Sequence, residues 1–296
     1  MSDTSTKPLE NKPLDIRIFG PRASGKTTYL TTLAECPDGL KQKYPELQVI
    51  KRNDETKELE DLSKNTLAVG SKVPGTTYEK KEFHNLNEYD FVIKIPGNKQ
   101  RPGIELELLT KDFPGEFFHD IPRGDKQQDP DIKKWIDDLF TTDGWMIMMT
   151  DWEPENDLLL YQPAFKELHR KLSGKQKINP KLKELRIAVV MTKCERGELW
   201  PCRLDPDEDL FAVRLPKTYE FITQKFTNNP IQFFACSAFG ILGDDLKNFD
   251  PRPNCRFDYD GPPEEIEATL REPEQWSPYG LIPPLYWLAT GIRLEE

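Results

Sequence analysis

Residues 18–30 read IFGPRASGKTTYL, and this short stretch constrains the fold more than anything else in the chain. Gly20, four residues, then Gly25, Lys26 and Thr27 make the P-loop spacing. Before it, LDIRIF (14–19) alternates apolar and polar residues as a short strand does. After it, residues 27–34 read as a helix with Leu30 and Leu33 on one side. Strand, loop and helix in that order wrap the backbone N–H groups of Arg22, Ala23, Ser24, Gly25, Lys26 and Thr27 around phosphate at a helix N-terminus. Gly20 opens the loop and Thr28 extends it into the helix. Lys26 is placed to reach terminal phosphates, and the Thr27 hydroxyl to bind Mg2+. The loop by itself fixes neither the base nor the use made of the phosphate.

The remaining pattern is α/β. YDFVIKI (89–95) and IELELLTKDF (104–113) flank the turn residues PGNKQRPG and predict a hairpin. DPDIKKWIDDLF predicts a helix capped by Asp129, with Pro130 first inside and Ile132, Trp135, Ile136, Leu139 and Phe140 on one face. GWMIMMT, LRIAVVMT and IQFFACS read as buried strands. Helices are expected at about 163–172, ending at Ser173 and Gly174, in PKTYEFITQKF, and in the closing PPLYWLATGI. Apolar strands alternating with helices predict a three-layer P-loop NTPase domain with a mostly parallel central sheet.

Charge and composition narrow the partners. Forty-one Lys and Arg against 51 Asp and Glu leave a net charge of -10, which argues against nucleic acid as the main partner. No run of about 18 apolar residues is present, so no membrane span is expected. Residues 1–13 are polar, lack the apolar core of a signal peptide and read as a loose leader. Cys36, Cys194, Cys202, Cys236 and Cys255 are scattered and odd in number, which suits reduced thiols in a cytoplasmic protein. His84, His119 and His169 are isolated and read as surface or packing residues.

A P-loop NTPase also needs a carboxylate at the end of a neighbouring strand, to support the metal. LELLTKDFPGE supplies Asp112 there, and Gly115 follows at D-x-x-G spacing, its N–H placed to bond a γ-phosphate. The order GPRASGKT, DFPG, TKCE, CSA resembles the four boxes of the Ras-like, translation-factor-related (TRAFAC) P-loop GTPases. The resemblance covers residues 14–240 and a closing helix, and GPRASGKTTYL and DFPGE are most similar to bacterial members, including the double-GTPase type and the polarity GTPases. It implies GTP/GDP with Mg2+, and a guanine site framed by Thr192, Lys193 and Glu195. The Lys193 stem would stack on the base, and Ser237 and Ala238 would complete the site, Ala238 through its N–H. It also implies a switch threonine that binds Mg2+ only with γ-phosphate present; Thr77 is preferred over Thr76 and Thr66. Loss of that phosphate would release the segments around Thr77 and 113–118 to a protein effector or activator.

Three positions depart from the family. Glu195 stands where an Asp is usual and is one methylene longer, which leaves ATP as an alternative substrate. Glu116 stands where a Gln often orients water; it could do the same or act as a base, and it brings negative charge, so slow hydrolysis is expected. Arg22 occupies a place often kept as Gly; it could exclude a partner's arginine, neutralise transition-state charge itself, or lie in solvent. These departures keep open a nucleotide-binding interaction module without significant hydrolysis. One P-loop domain over 14–296 is expected, with insertions at about 36–87, 196–216 and 243–280. Trp200, Phe211, Phe257, Tyr259 and Trp276 give the later two aromatic anchors.

Overall fold

The computed structural model describes residues 13–65, 86–97, 103–124, 129–243, 248–258, 267–294 and 296. The leader up to residue 12, Thr66, Thr76, Thr77, His84, residues 98–102 of the expected hairpin turn, and Tyr259 lie outside them. β1 (Pro13–Phe19) leads through the glycine-bounded loop into α1 (Lys26–Glu35). Then come α2 (Asp38–Lys43), β2 (Gln48–Lys51) and α3 (Asp54–Asn65). β3 (Glu88–Ile95) and β4 (Ile104–Asp112) pair antiparallel, as the sequence predicts. α4 (Gly115–Asp120), α5 (Pro130–Asp138), β5 (Gly144–Met149), α6 (Gln162–Gln176) and β6 (Arg186–Met191) follow. α7 (Ala212–Arg214), α8 (Pro216–Lys225) and β7 (Ile231–Ala235) complete the large sheet.

Among the described residues the central sheet has seven strands in the order β2-β3-β4-β1-β5-β6-β7. β4, β1, β5, β6 and β7 are parallel, and β3 and β2 extend one edge antiparallel. β5 shows why its sequence lacks alternation. Ile147 and Met149 enter the core beneath α5 and α6, while Met146 and Met148 enter the core beneath α1 and the closing helix. Successive side chains point to opposite faces, and both faces are covered. Asp129 caps α5 as expected, accepting from the Asp131 N–H at 2.9 Å.

One stretch has no elements assigned in sequence, and one expectation needs correcting. The stretch after α1 has little pattern in sequence, yet it contributes α2, β2 and α3. Asn53 starts α3 by accepting from the Thr56 N–H at 3.0 Å. β2 escaped notice because four residues on an edge, none fully buried, carry no clear period. α6 does not stop at Ser173 and Gly174 but runs to Gln176. Gly174 faces open space, where glycine costs only about 1 kcal/mol, and Gln176 holds the helix end through Asn229 Oδ1 at 2.8 Å.

The two later insertions are ordered by burial. Leu199, Trp200, Leu210 and Phe211 are buried, and Phe211 packs on Phe233 of β7 at 4.8 Å between ring centres. The described residues within 241–270 form two small antiparallel pairs. One is β8 (Ile241–Gly243) with β9 (Asp250–Pro253), and the other is β10 (Cys255–Asp258) with β11 (Glu267–Leu270). Trp276 is buried beyond them, and α9 (Ile282–Thr290) closes the fold with Leu285 and Leu288 fully buried. Among the described residues no helix is long and apolar enough to cross a membrane.

Candidate functional site

Because β4, β1, β5, β6 and β7 run parallel, the loops that follow them gather at one edge of the sheet, where open α/β folds place their ligands. The loop after β1 carries Ala23 and Gly25 in the left-handed region, at φ 60° and 82°. Those turns deliver the chain into α1, whose first turn holds no acidic residue to compete for an anion. Lys26 is buried and lies across the loop, donating to the Gly20 and Pro21 carbonyls, each at 3.0 Å, and to Ser24 Oγ at 3.4 Å. Its ammonium is thereby centred on the loop. Ser24 is buried, Thr27 and Thr28 are half-buried, and Arg22 is exposed.

Asp112 ends β4 in register with Ile18 of β1, beside the P-loop strand. Gly115 starts α4 directly against the loop. A Cβ there would lie 2.3 Å from both the N and Cα of Arg22, so only glycine permits the approach. Glu116 is half-buried, and its Oε2 is buried with no hydrogen-bond partner in the protein. Behind it α4 is anchored. Phe113, Phe117 and Phe118 are fully buried, with Phe113 on Phe117 at 5.2 Å and Phe117 on Trp135 at 5.5 Å. Freeing 113–118 would expose three phenylalanines at about 1.5–3 kcal/mol each. A hydrogen bond to a charged phosphate oxygen is worth about 1.5–3 kcal/mol. The wholesale release expected for 113–118 is therefore disfavoured.

The base boxes converge on the same loop. Thr192 Oγ donates to the Ser24 carbonyl at 2.8 Å and the Met149 carbonyl at 3.0 Å, tying the end of β6 to the P-loop. Lys193 adopts φ 60°, uncommon for a residue with a side chain, and such strain is often held at functional sites. Burial holds its ammonium below the usual lysine range, and the ammonium lies 4.9 Å from the centre of the Trp152 ring. The Arg196 guanidinium stacks on the same ring at 5.1 Å and bonds Asp151 Oδ1 at 2.7 Å.

Glu195 is 2 % exposed, and burial pushes its carboxyl above the ordinary range. The Ser237 hydroxyl and its own backbone N–H bond it, and Lys193 and Arg196 favour its charge, all more weakly than burial opposes it. Its Oε2 has no hydrogen-bond partner in the protein. A cleft lined by Gly25, Tyr29, Met148, Lys193, Glu195, Cys236, Ala238 and Phe239 opens beside it. Ser237 Oγ also accepts from the Gly240 N–H at 2.8 Å, so one hydroxyl joins the carboxylate to the loop after β7.

The residues singled out in sequence thus fall at one place, save Thr77, which lies outside the described residues. Sequence reading missed Trp152, Tyr29, Cys236 and Phe239. Trp152 follows β5, a strand end with no box motif. The others flank boxes but gain meaning only when α1, β6 and β7 are adjacent. His119, read as a surface or packing residue, is exposed on α4 within electrostatic reach of Glu116 and Lys26. His169 packs edge-on against Phe226 at 5.1 Å, in keeping with a packing role.

No protein-family model matches the chain, and no curated protein matches it by sequence. Among solved structures, it is similar to the GTPase-like domain of Saccharomyces cerevisiae Ski7 bound to GTP, at 16% identity and a TM-score of 0.42 over 91% of this chain and 49% of that one. The same domain bound to GDP and inorganic phosphate gives 16% identity and 0.41, over 78% of this chain and 43% of that one. Sup35 complexed with GDP gives 10% identity and 0.32, over 80% and 40%. The chain spans less than half the length of each.

Proposed function

We propose that this protein binds GTP and GDP with Mg2+ and acts as a nucleotide-dependent switch for a partner protein, with slow intrinsic hydrolysis. The observation that carries this reading is Glu195, a buried carboxylate whose Oε2 has no protein partner and which borders a cleft continuous with the P-loop. A buried acceptor of this kind calls for donors. Guanine presents two adjacent N–H donors on one edge, whereas adenine presents an acceptor at the corresponding ring nitrogen. The P-loop and Lys26 supply the charge complement for phosphate. Thr27, with Asp112 and Thr77 in support, would hold Mg2+, which would neutralise phosphate charge. The kinship with bacterial double-GTPase types rests on the GPRASGKT and DFPGE motifs alone.

Hydrolysis would fall to Glu116, which adjoins Gly115 and the P-loop. Its carboxylate would orient water, but its negative charge opposes that of the γ-phosphate. The anchoring of α4 favours a second reading, a nucleotide-holding module with negligible turnover, in which the phosphate state shifts only the start of α4. Single-turnover GTP hydrolysis separates the two readings, since a switch returns measurable phosphate and a holding module none.

The test of the main reading is titration of nucleotide-stripped protein with GTP, GDP, ATP and ADP, with Mg2+ and with a chelator. Mg2+-dependent guanine binding that ATP cannot displace is expected. Equal or tighter adenine binding would move the protein to the ATP-using NTPases.

A further inference from the structure

The loop after β7 is held by the late insertion. Ser237 N–H donates to the Tyr279 carbonyl at 2.8 Å, and Tyr279 N–H returns to the Ser237 carbonyl at 2.9 Å. Trp276 Nε1–H donates to the Ala238 carbonyl at 2.8 Å. In a trans peptide a carbonyl and the following N–H point in opposite directions. The Ser237 carbonyl is fixed toward Tyr279, so the Ala238 N–H is fixed away from it. The Ala238 carbonyl is fixed toward Trp276, so the Phe239 N–H is fixed away from the insertion as well.

Packing locks this arrangement. Phe239, which lines the cleft, shares a small core with Cys255, Leu270 and Trp276. Gly240, at φ 71°, allows the Ser277 carbonyl to approach, since a Cβ there would lie 2.0 Å from that oxygen. The insertion is also tied to the helix that follows the P-loop, because the Tyr29 hydroxyl, itself on the cleft, donates to the Leu281 carbonyl at 2.6 Å.

We propose that Trp276 is a specificity-determining positioning residue: it orients the Ala238–Phe239 backbone so that an N–H donor meets the carbonyl oxygen of a 6-oxopurine. The proposal rests on the guanine-binding reading above. Guanine and hypoxanthine both present O6 as an acceptor, whereas adenine presents an amino donor at that position. Glu195 discriminates at the other edge, where guanine carries an N2 amino group that hypoxanthine lacks. The two devices therefore separate experimentally. Loosening the Ala238 loop erodes discrimination against adenine and leaves discrimination against hypoxanthine unchanged.

The experiment measures GDP, IDP and ADP affinities for wild type, for Trp276→Phe, which keeps an aromatic ring but loses the donor, and for Arg252→Ala, which alters an exposed side chain of the same insertion. The expected result for Trp276→Phe is a fall of about fivefold in the preference for GDP over ADP, the scale of one neutral hydrogen bond. The GDP-to-IDP ratio stays unchanged, and Arg252→Ala behaves as wild type. A uniform loss for all three nucleotides, or no change, overturns the proposal and leaves the guanine reading intact. Wild type without purine preference overturns both. Should Trp276→Phe fail to fold, hydrogen exchange of the wild-type 267–281 segment decides: added protection with GDP and IDP but not ADP supports the proposal, and equal protection with all three overturns it.

Discussion

In the proposed reading Glu195 would recognise the base and Lys26 the phosphates. Burial holds the Glu195 carboxyl above its ordinary range, and its ionised form, with both oxygens free to accept, would bind the two guanine donors better than the protonated form. Guanine binding therefore favours deprotonation. GDP affinity should rise with pH through that raised value while ADP affinity stays flat, and calorimetry in buffers of different ionisation heat should register proton release. Glu195→Gln should flatten the GDP profile and narrow the preference over ADP. The stability of the nucleotide-free protein runs the opposite way with pH. A folded-state pKa above the unfolded one gives stability that is present below the unfolded value and lost as pH rises through the folded one. Lys26→Ala should weaken GTP and GDP at least tenfold, since each hydrogen bond to a charged phosphate is worth about 1.5–3 kcal/mol. Unchanged affinity would mean that the ammonium does not face phosphate. Gly115→Ala should push α4 from the P-loop, because its Cβ would meet the Arg22 backbone. A loss of about 1–3 kcal/mol in stability is expected, read by denaturant melts.

Among the elements, α4 is anchored by aromatic packing and β1 by a buried ion pair. Phe117 packs against Phe113 and Trp135 and is fully buried. Phe117→Ala should cost about 3–5 kcal/mol by chemical denaturation, and a cost below 1 kcal/mol would show that α4 is not seated in this aromatic core. β1 is pinned at Arg17, which is buried between Asp15 and Asp138 and links the strand to the end of α5. Arg17→Ala leaves Asp15 without this partner and Asp138 with Lys111 at 3.3 Å, and should destabilise by about 1–3 kcal/mol. The strand period of β1 and the helix period of α5 were readable because each face meets one environment along its whole length. β2 was not, since an edge strand of four residues is specified by its partner β3 rather than by its own pattern.

Across the whole molecule, the parallel strands bring the P-loop, the DFPG turn and the two base boxes to one edge of the sheet. Amides of β1, β5 and β6 should exchange last and those of the small β8–β9 pair first, because the former are buried on both faces and the latter is short and partly exposed. Early exchange in β5 would contradict the two-sided burial.

The P-loop, the order of the boxes and the buried strands were legible because their signals are local: a phosphate cradle needs fixed spacing, and a covered strand needs an unbroken apolar run. Contacts between distant segments were not. The Thr192 bond to Ser24 spans 168 positions, and the Trp276 bond to Ala238 spans 38 across an insertion without repeating pattern. Neither side chain announces its partner in sequence, since a hydroxyl or an indole N–H bonds whichever carbonyl the fold brings within reach. Sheet order placed Thr192 beside the P-loop, and packing of Phe239, Cys255 and Leu270 placed Trp276 over the base loop.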